Sequence, residues 1–308
     1  MELTTQQRVI ALGFFDGVHL GHGALLKRAV ELAAERSAIP AAHTFATPPS
    51  TLVNHRPTPL LTTPDDRAYL MQSLYGIQEV IVAPFDRHMM TMPWDRFVTD
   101  YLIGELNACG VVAGHDYRFG YQGEGTPEKL QTLCKQAGLA CAVVEQVKLD
   151  GRTVSSTYIR SLVEQGDVEE AHRYLGHPHL IRGKVHHGKG LGRNLGFPTV
   201  NITPAEGVLI PAYGVYASKV ILEDGKRYQA ATNIGVRPTI EDGKGVSVEA
   251  FLLDFEGDVY GQTVGLELYR HLRPERTFPS LEALQEEVSK NAQQTRDYFE
   301  GIGIPENR

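Results

Sequence analysis

Cysteine is scarce in this 308-residue chain: Cys109, Cys134 and Cys141 form no C-x-x-C pair. An odd count of this kind argues against a disulfide framework. No run of about 18 apolar residues occurs, so nothing is expected to span a membrane. The opening stretch lacks the basic-then-apolar order of a secretory signal. Basic residues are outnumbered, 30 against 37 acidic, for a net charge of −7. That balance excludes a general attraction to nucleic acid or anionic membrane. There is no internal repeat and no low-complexity tract. The expectation is a soluble cytoplasmic protein acting on small molecules, without nucleic-acid or membrane partners; a homo-oligomer is left open.

What is present is enough chain for two domains, each with its own core. In the first half, short apolar runs predict strands over 9–12, 41–45, 80–83, 111–113 and 142–144. Helical patterns predict helices over 24–36, 64–75, 93–102 and 127–137. The alternation predicts an α/β fold with a parallel sheet covered on both faces and ligands at the carboxyl ends of its strands. Helices over 157–165 and 168–175 follow, ending at Gly176. His177, Pro178 and His179 read as a connector. Beyond it the texture changes to short strands over 181–186, 215–222, 228–234, 246–253 and 264–272, with a hairpin turn at 223–226. These predict a small antiparallel β-barrel. A final helix is expected from 280 to about 299. The implied division is 1–176, a linker at 177–182, and 183–308.

The stretch Gly13, Phe15, Asp16, Gly17, Val18, His19, Gly21, His22 sits where the first strand turns toward a helix. A helix N-terminus favours phosphate, and glycines let the backbone approach a ligand. Imidazoles there suit the charge that grows on a nucleotide α-phosphate under attack. A zinc site is the rival, although no Cys or Glu stands at ligand spacing nearby. Ser155, Ser156 and Thr157 open a helix as caps, and Arg160 adds a fork suited to phosphate. Arg118 lies between Tyr117 and Phe119 in a Gly-bounded loop, suited to a flat ring or to solvent.

The second half holds a glycine-dense stretch, 188–201, with Lys189 and Arg193, leading into a turn at Pro198, Thr199 and Asn201. It lacks the Gly-Lys-Ser/Thr ending of a Walker A loop. Its N–H groups suit phosphates, and the Thr199 and Asn201 oxygens suit Mg²⁺. On the strand over 246–253, Glu249 shares a face with Ser247, Phe251 and Leu253. Apolar company of that kind raises a carboxylate's pKa and suits a general base; an edge-strand charge facing water is the alternative.

Taken in order, three motifs resemble those of bacterial bifunctional riboflavin kinase/FAD synthetases. They are the Gly13–His22 stretch, then Gly114, Asp116, Tyr117, Arg118, Phe119 and Gly120, then Ser155, Ser156, Thr157 and Arg160. The second half is similar to the riboflavin kinase module through Gly192 to Asn201, Asn233 to Thr239, Glu249 with Leu253 to Phe255, and Arg273, Pro274, Glu275. The resemblance covers essentially the whole chain. It implies a Rossmann-like nucleotidyltransferase domain followed by a β-barrel kinase, with ATP as co-substrate and Mg²⁺ as cofactor. Riboflavin would become FMN in the barrel, and FMN would become FAD in the first domain with release of pyrophosphate. By that similarity His19 and His22 would steady the α-phosphate. Gly13, Phe15, Asp16, Gly17, Gly21, Ser156, Thr157 and Arg160 would hold ATP, and Asp116, Arg118 and Phe119 would line the flavin side. In the kinase, Gly183, Lys189, Gly192, Thr199 and Asn201 would hold Mg²⁺–ATP. Glu249 would take the proton of the riboflavin 5′-hydroxyl, and Arg273 would lie near the flavin.

One departure stands out. The family usually carries Phe-x-Pro-His-Pro after the second strand, and here the run is Phe45, Ala46, Thr47, Pro48, Pro49. Pro48 can supply neither hydrogen bond nor charge, which leaves His43 and His55 as alternatives for that imidazole. The rival functions are a kinase with a silent first domain and a non-catalytic flavin-binding regulator.

Overall fold

The structure, a computed structural model, describes residues 6–49, 58–186, 199–237 and 245–303. It divides into two compact units, Met1–Ser156 and Thr157–Arg308.

The first unit begins with β1 (Arg8–Leu12), α1 (Leu20–Glu35), β2 (Ile39–Phe45), α2 (Pro64–Tyr75) and β3 (Glu79–Ala83). It continues with α3 (Arg87–Thr91) and α4 (Trp94–Arg96), which runs into a π-helical stretch, Phe97–Glu105. Then come β4 (Ala108–Gly114), α5 (Pro127–Ala137), β5 (Ala140–Val144) and a small hairpin of β6 (Lys148–Leu149) and β7 (Arg152–Thr153). The sheet order is β3-β2-β1-β4-β5, and each pairing is parallel. Successive connections leave β1 on opposite sides, so the strand order reverses between β1 and β4. Open α/β sheets bind ligands at such a reversal. β1 is apolar throughout because the sheet is covered on both faces, and Val9, Ile10 and Ala11 are fully buried.

In the second unit α6 (Ser156–Gln165, beginning at the boundary) and α7 (Val168–Leu175) precede the strands β8 (His179–His186), β9 (Thr199–Pro204) and β10 (Gly214–Ile221). β11 (Arg227–Arg237), β12 (Gly245–Leu252), β13 (Thr263–Pro274) and α8 (Leu281–Gly301) complete it. The strands close a barrel in the order β10-β11-β12-β9-β8-β13. Its interior is the inward half of each alternating strand, for example Val248, Ala250 and Leu252.

Three expectations need correction. The connector at 177–182 is largely strand: β8 opens at His179, whose side chain is buried and which pairs with Leu268. The chain divides after Ser156, placing α6 and α7 in the same unit as the barrel. The turn expected at Thr199 and Asn201 is the start of β9, paired antiparallel to β12.

Candidate active sites

In the first unit, β1 ends at Leu12 and the chain reverses through a backbone of unusual shape. Phe15, Gly17 and Val18 have φ of 57°, 81° and 43°. A β-branched residue at positive φ is strained, so surrounding structure must hold it. That structure is α2 with Thr62, the residue before its cap. Asp16 is buried and its carboxylate accepts from the Thr62 amide at 3.0 Å. The Gly17 amide donates to Thr62 Oγ1 at 2.9 Å. Ser156 Oγ donates to the Asp16 carbonyl at 2.9 Å. Asp16 and Ser156 therefore shape the loop.

α1 starts at Leu20, earlier than expected, because His19 is its N-cap: His19 Nδ1 accepts from the His22 amide at 3.2 Å. An accepting Nδ1 puts the His19 proton on Nε2. The two rings stack with centroids 3.5 Å apart and planes 13° from parallel. Gly21 makes that stack possible, since a Cβ there would lie 3.1 Å from the His19 ring. His22 is held well below the ordinary histidine range, by burial first, then by its electrostatic neighbours, the stacked His19 ring and Arg67. Two neutral imidazoles therefore stand at the helix start.

Both rings line a cleft of about 950 Å³ over the β1/β4 reversal, with Gly13, Phe15 and Gly21 on the same wall. Asp116, Arg118, Phe119 and Tyr117 line it from the segment after β4. Tyr117 and Phe119 lie with planes 18° apart. Ser156 also lines the cleft, whereas Thr157 and Arg160 belong to the second unit, on α6. The aromatic walls suit a flat ring, and the polar groups gather around the helix start.

In the second unit the candidate residues are placed by strand register. Asn201, Glu249 and Asn233 are direct partners across β9, β12 and β11. Directly opposed residues of antiparallel strands share a face, so Glu249 stands between two amides. Thr199 pairs with Phe251 in the adjoining row. Ser247 Oγ donates to Glu249 Oε1 at 3.0 Å, and Glu249 is half-buried. Gly183 is explained by packing, since a Cβ there would come 2.2 Å from the Thr203 carbonyl oxygen. Arg273 binds α8, with Nε 3.0 Å from Glu287 and Nη2 3.0 Å from Asn291 Oδ1. Lys189 and Gly192 lie outside the described residues, as do Pro198 and His55.

Comparison with known proteins joins the two halves. The FAD synthetase family model matches residues 2–158, and the riboflavin kinase family model matches residues 175–299. A bifunctional riboflavin kinase/FMN adenylyltransferase of Listeria monocytogenes is 36% identical over 302 residues, covering 97% of this chain and 94% of its own. The Bacillus subtilis protein of that name is also 36% identical, over 96% and 93% of the two chains. The chain belongs to the bifunctional riboflavin kinase/FMN adenylyltransferase family. A solved Streptococcus pneumoniae structure described as a macrolide-efflux protein has the same overall fold. Its TM-score is 0.83 at 29% identity, over 95% of each chain.

Pro48 is the departure from the expected pattern, and His43 does not supply an imidazole to the cleft in its place. It is buried on β2 and shares a 3.0 Å hydrogen bond with the Tyr101 hydroxyl. Burial lowers its pKa to about 4. It is absent from the cleft lining, which takes Phe45 and Pro49 from this segment. Residues that sequence reasoning missed are Thr62, Arg67 and the partnership of Asn233 with Glu249. The Thr-Pro start of α2 marked a cap; nothing marked Arg67 as buried.

Among the described residues no group of three or more His, Cys, Asp or Glu is placed to hold a metal ion. The oxygen donors Thr199 and Asn201, beside Glu249, suit a hard cation that takes most of its shell from phosphate and water.

Proposed function

We propose that this chain catalyses two successive ATP-dependent reactions, riboflavin to FMN in the barrel and FMN to FAD in the first unit. The observation that carries the reading is the presence of a complete candidate constellation in each half: the Asn201–Glu249–Asn233 row and the His19/His22 stack over the cleft.

In the kinase step the riboflavin 5′-hydroxyl oxygen bonds to the γ-phosphorus, the bond to ADP breaks, and Glu249 takes the hydroxyl proton. Ser247 occupies one carboxylate oxygen and so orients the other. Thr199 and Asn201 would hold Mg²⁺, which neutralises phosphate charge when bound. Lys189, Gly192 and Gly183 would complete the nucleotide side, and Arg273 would order the segment that meets the flavin by tying it to α8.

In the second step an FMN phosphate oxygen bonds to the α-phosphorus of ATP and pyrophosphate leaves. The nucleophile is already an anion, so no strong base is required, and catalysis is positioning and charge stabilisation. His19 and His22 would donate N–H hydrogen bonds to the α-phosphate. Gly13, Phe15, Gly17 and Gly21 would shape the nucleotide wall, with Asp16 and Ser156 holding the loop and Thr157 and Arg160 reaching phosphates. Asp116, Arg118 and Phe119 would contact the flavin. ATP and flavin precursors place this chemistry in the cytoplasm, and the acidic balance agrees with small-molecule partners.

The test is a chromatographic flavin assay started separately from riboflavin and from FMN, with ATP and Mg²⁺. FMN in the first tube and FAD in the second are expected. FMN without FAD would leave a kinase with a silent first unit; binding without turnover would leave a flavin-binding regulator.

A further inference from the structure

Arg67, on the first turn and a half of α2, is fully buried. Its Nη1 donates to the Phe14 carbonyl at 2.7 Å, to Thr44 Oγ1 at 2.7 Å and to the Phe45 carbonyl at 3.1 Å. Its guanidinium carbon sits 4.2 Å from the centre of the Phe14 ring. Thr44 Oγ1 donates to the Phe14 carbonyl as well, at 2.7 Å. One buried cation thus ties together the places where β1 and β2 give way to the loops of the cleft. It does so one residue before Phe15, where the strained backbone begins.

A buried cation is costly unless its surroundings compensate. Here compensation is partial: Nε and Nη2 are buried without hydrogen-bond partners, and burial pulls the pKa down to about 10 while Asp16 supports the charge. The charge also acts on His22, where it opposes protonation. That ring lines the cleft, yet its Nδ1 is covered and has no partner. The charged and titratable groups that act on it are the stacked His19 and Arg67, and Asp16 acts in turn on Arg67. A proton on that covered, partnerless nitrogen would be an unsatisfied buried donor, and the charge of Arg67 opposes it as well. The His22 proton is then on Nε2, available to the cleft.

We infer that Arg67 is a positioning residue for adenylyl transfer, holding the Gly13–His22 loop in its strained shape and fixing His22 as a neutral Nε2–H donor. This inference rests on the proposed role of His22. It also explains how two adjacent imidazoles serve a polyanionic substrate without being cations themselves: their donors are set, and the permanent charge is held on buried Arg67.

The experiment compares Arg67→Met, Arg67→Lys, His22→Gln and the Arg67→Met/His22→Gln double variant in FAD formation from FMN. Riboflavin phosphorylation in the same preparations serves as control. Arg67→Met is expected to lower kcat by about 10²-fold, the usual cost of one transition-state donor, with KM for FMN and ATP nearly unchanged. Arg67→Lys should recover most of it, because an ammonium can replace the single bonding nitrogen. The double variant should lose no more than His22→Gln alone. Full kcat in Arg67→Met, a loss confined to KM, or a lysine no better than methionine would overturn the inference. Full activity in His22→Gln would instead remove the reading on which it rests. Emission of Trp94, the sole tryptophan, partly buried against the first unit's core, reports folding of each variant. Should Arg67→Met not fold, ¹⁵N spectra of the parent protein decide. Neutral Nε2–H at both His19 and His22 near pH 7 is required, and Nδ1–H or imidazolium at His22 refutes the assignment.

Discussion

In the first unit the chemical groups sit on a chain reversal, where Phe15 and Val18 hold positive φ and α2 supplies the restraints. In the barrel they sit on extended strands, where Glu249 faces Asn201 and Asn233 through pairing alone. The first arrangement places rings within 3.5 Å of each other at the cost of strained backbone and a buried cation. The second asks nothing unusual of the backbone, because alternate residues of paired strands already share a face. A loop site depends on distant residues and a register site on near ones, so the two halves should respond to substitution differently.

The sharpest break in that comparison is Glu249→Gln. It preserves shape and the Ser247 hydrogen bond but cannot accept the proton. Loss of a general base typically costs about 10²–10⁴-fold, so FMN formation should fall by about that much while FAD formation from FMN stays at the parent's rate. Steady-state turnover of riboflavin checks it, and a fall of less than about tenfold would exclude the base role. His22→Gln is the mirror experiment: FAD formation should fall by about 10²-fold and riboflavin phosphorylation should not change. Loss of both activities in either variant would mean that the halves are not independent.

Acid should erase part of the contrast. His43 in the first unit and His179 in the second are both lowered to about 4 by burial, against an ordinary value of 6.5. A histidine depressed in the fold stays neutral there, while the unfolded chain binds a proton below 6.5. Stability from each is therefore complete above pH 6.5 and is lost as pH falls toward 4. At pH 5 this amounts to about 2 kcal/mol apiece. Urea unfolding followed by Trp94 emission should show the first unit weakening from pH 7 to 5. His43→Met should flatten that slope while leaving the barrel's own acid sensitivity in place. An unchanged slope would show that His43 is not the group that titrates.

The contrast also explains what the sequence made legible. α2 and α5 match their expected limits because each begins at Thr-Pro and ends on a glycine in the left-handed region. The parallel strands were visible as apolar runs. β9 was not, since Thr199 and Asn201 resemble turn residues until β12 lies beside them. The π-helical Phe97–Glu105 looks like ordinary helix by periodicity; what distinguishes it is its i→i+5 bonding, as from the Leu106 amide to the Tyr101 carbonyl at 2.9 Å, in a stretch whose Phe97 and Tyr101 pack around His43. His19 and His22 could be placed at a strand-to-helix turn from local signals. The grip of Thr62 and Arg67 on that turn could not, because it spans 45 residues between Thr62 and Gly17 and 53 between Arg67 and Phe14. Local pattern reveals which residues carry chemistry; long-range contacts decide how they are held.

The smallest expected effect is the one that tests whether the loop site is complete. Pro48 follows β2 by three residues, next to Pro49, which lines the cleft with Phe45. His43, the described alternative, is committed to Tyr101 beneath the surface. Pro48→His would add a donor next to the cleft-lining Pro49, and it removes a proline whose ring restricts the local backbone. Because His19 and His22 already supply neutral donors, a third should raise FAD formation only modestly, by up to about tenfold. The gain should appear in kcat, with riboflavin phosphorylation unmoved. No gain would mean that other cleft groups, with His115 and Arg118 the nearest in kind, already carry the charge that an added histidine would meet. The Pro48→His/Arg118→Ala double variant separates the two cases: added histidine should rescue the loss of Arg118 only if the two serve the same phosphate.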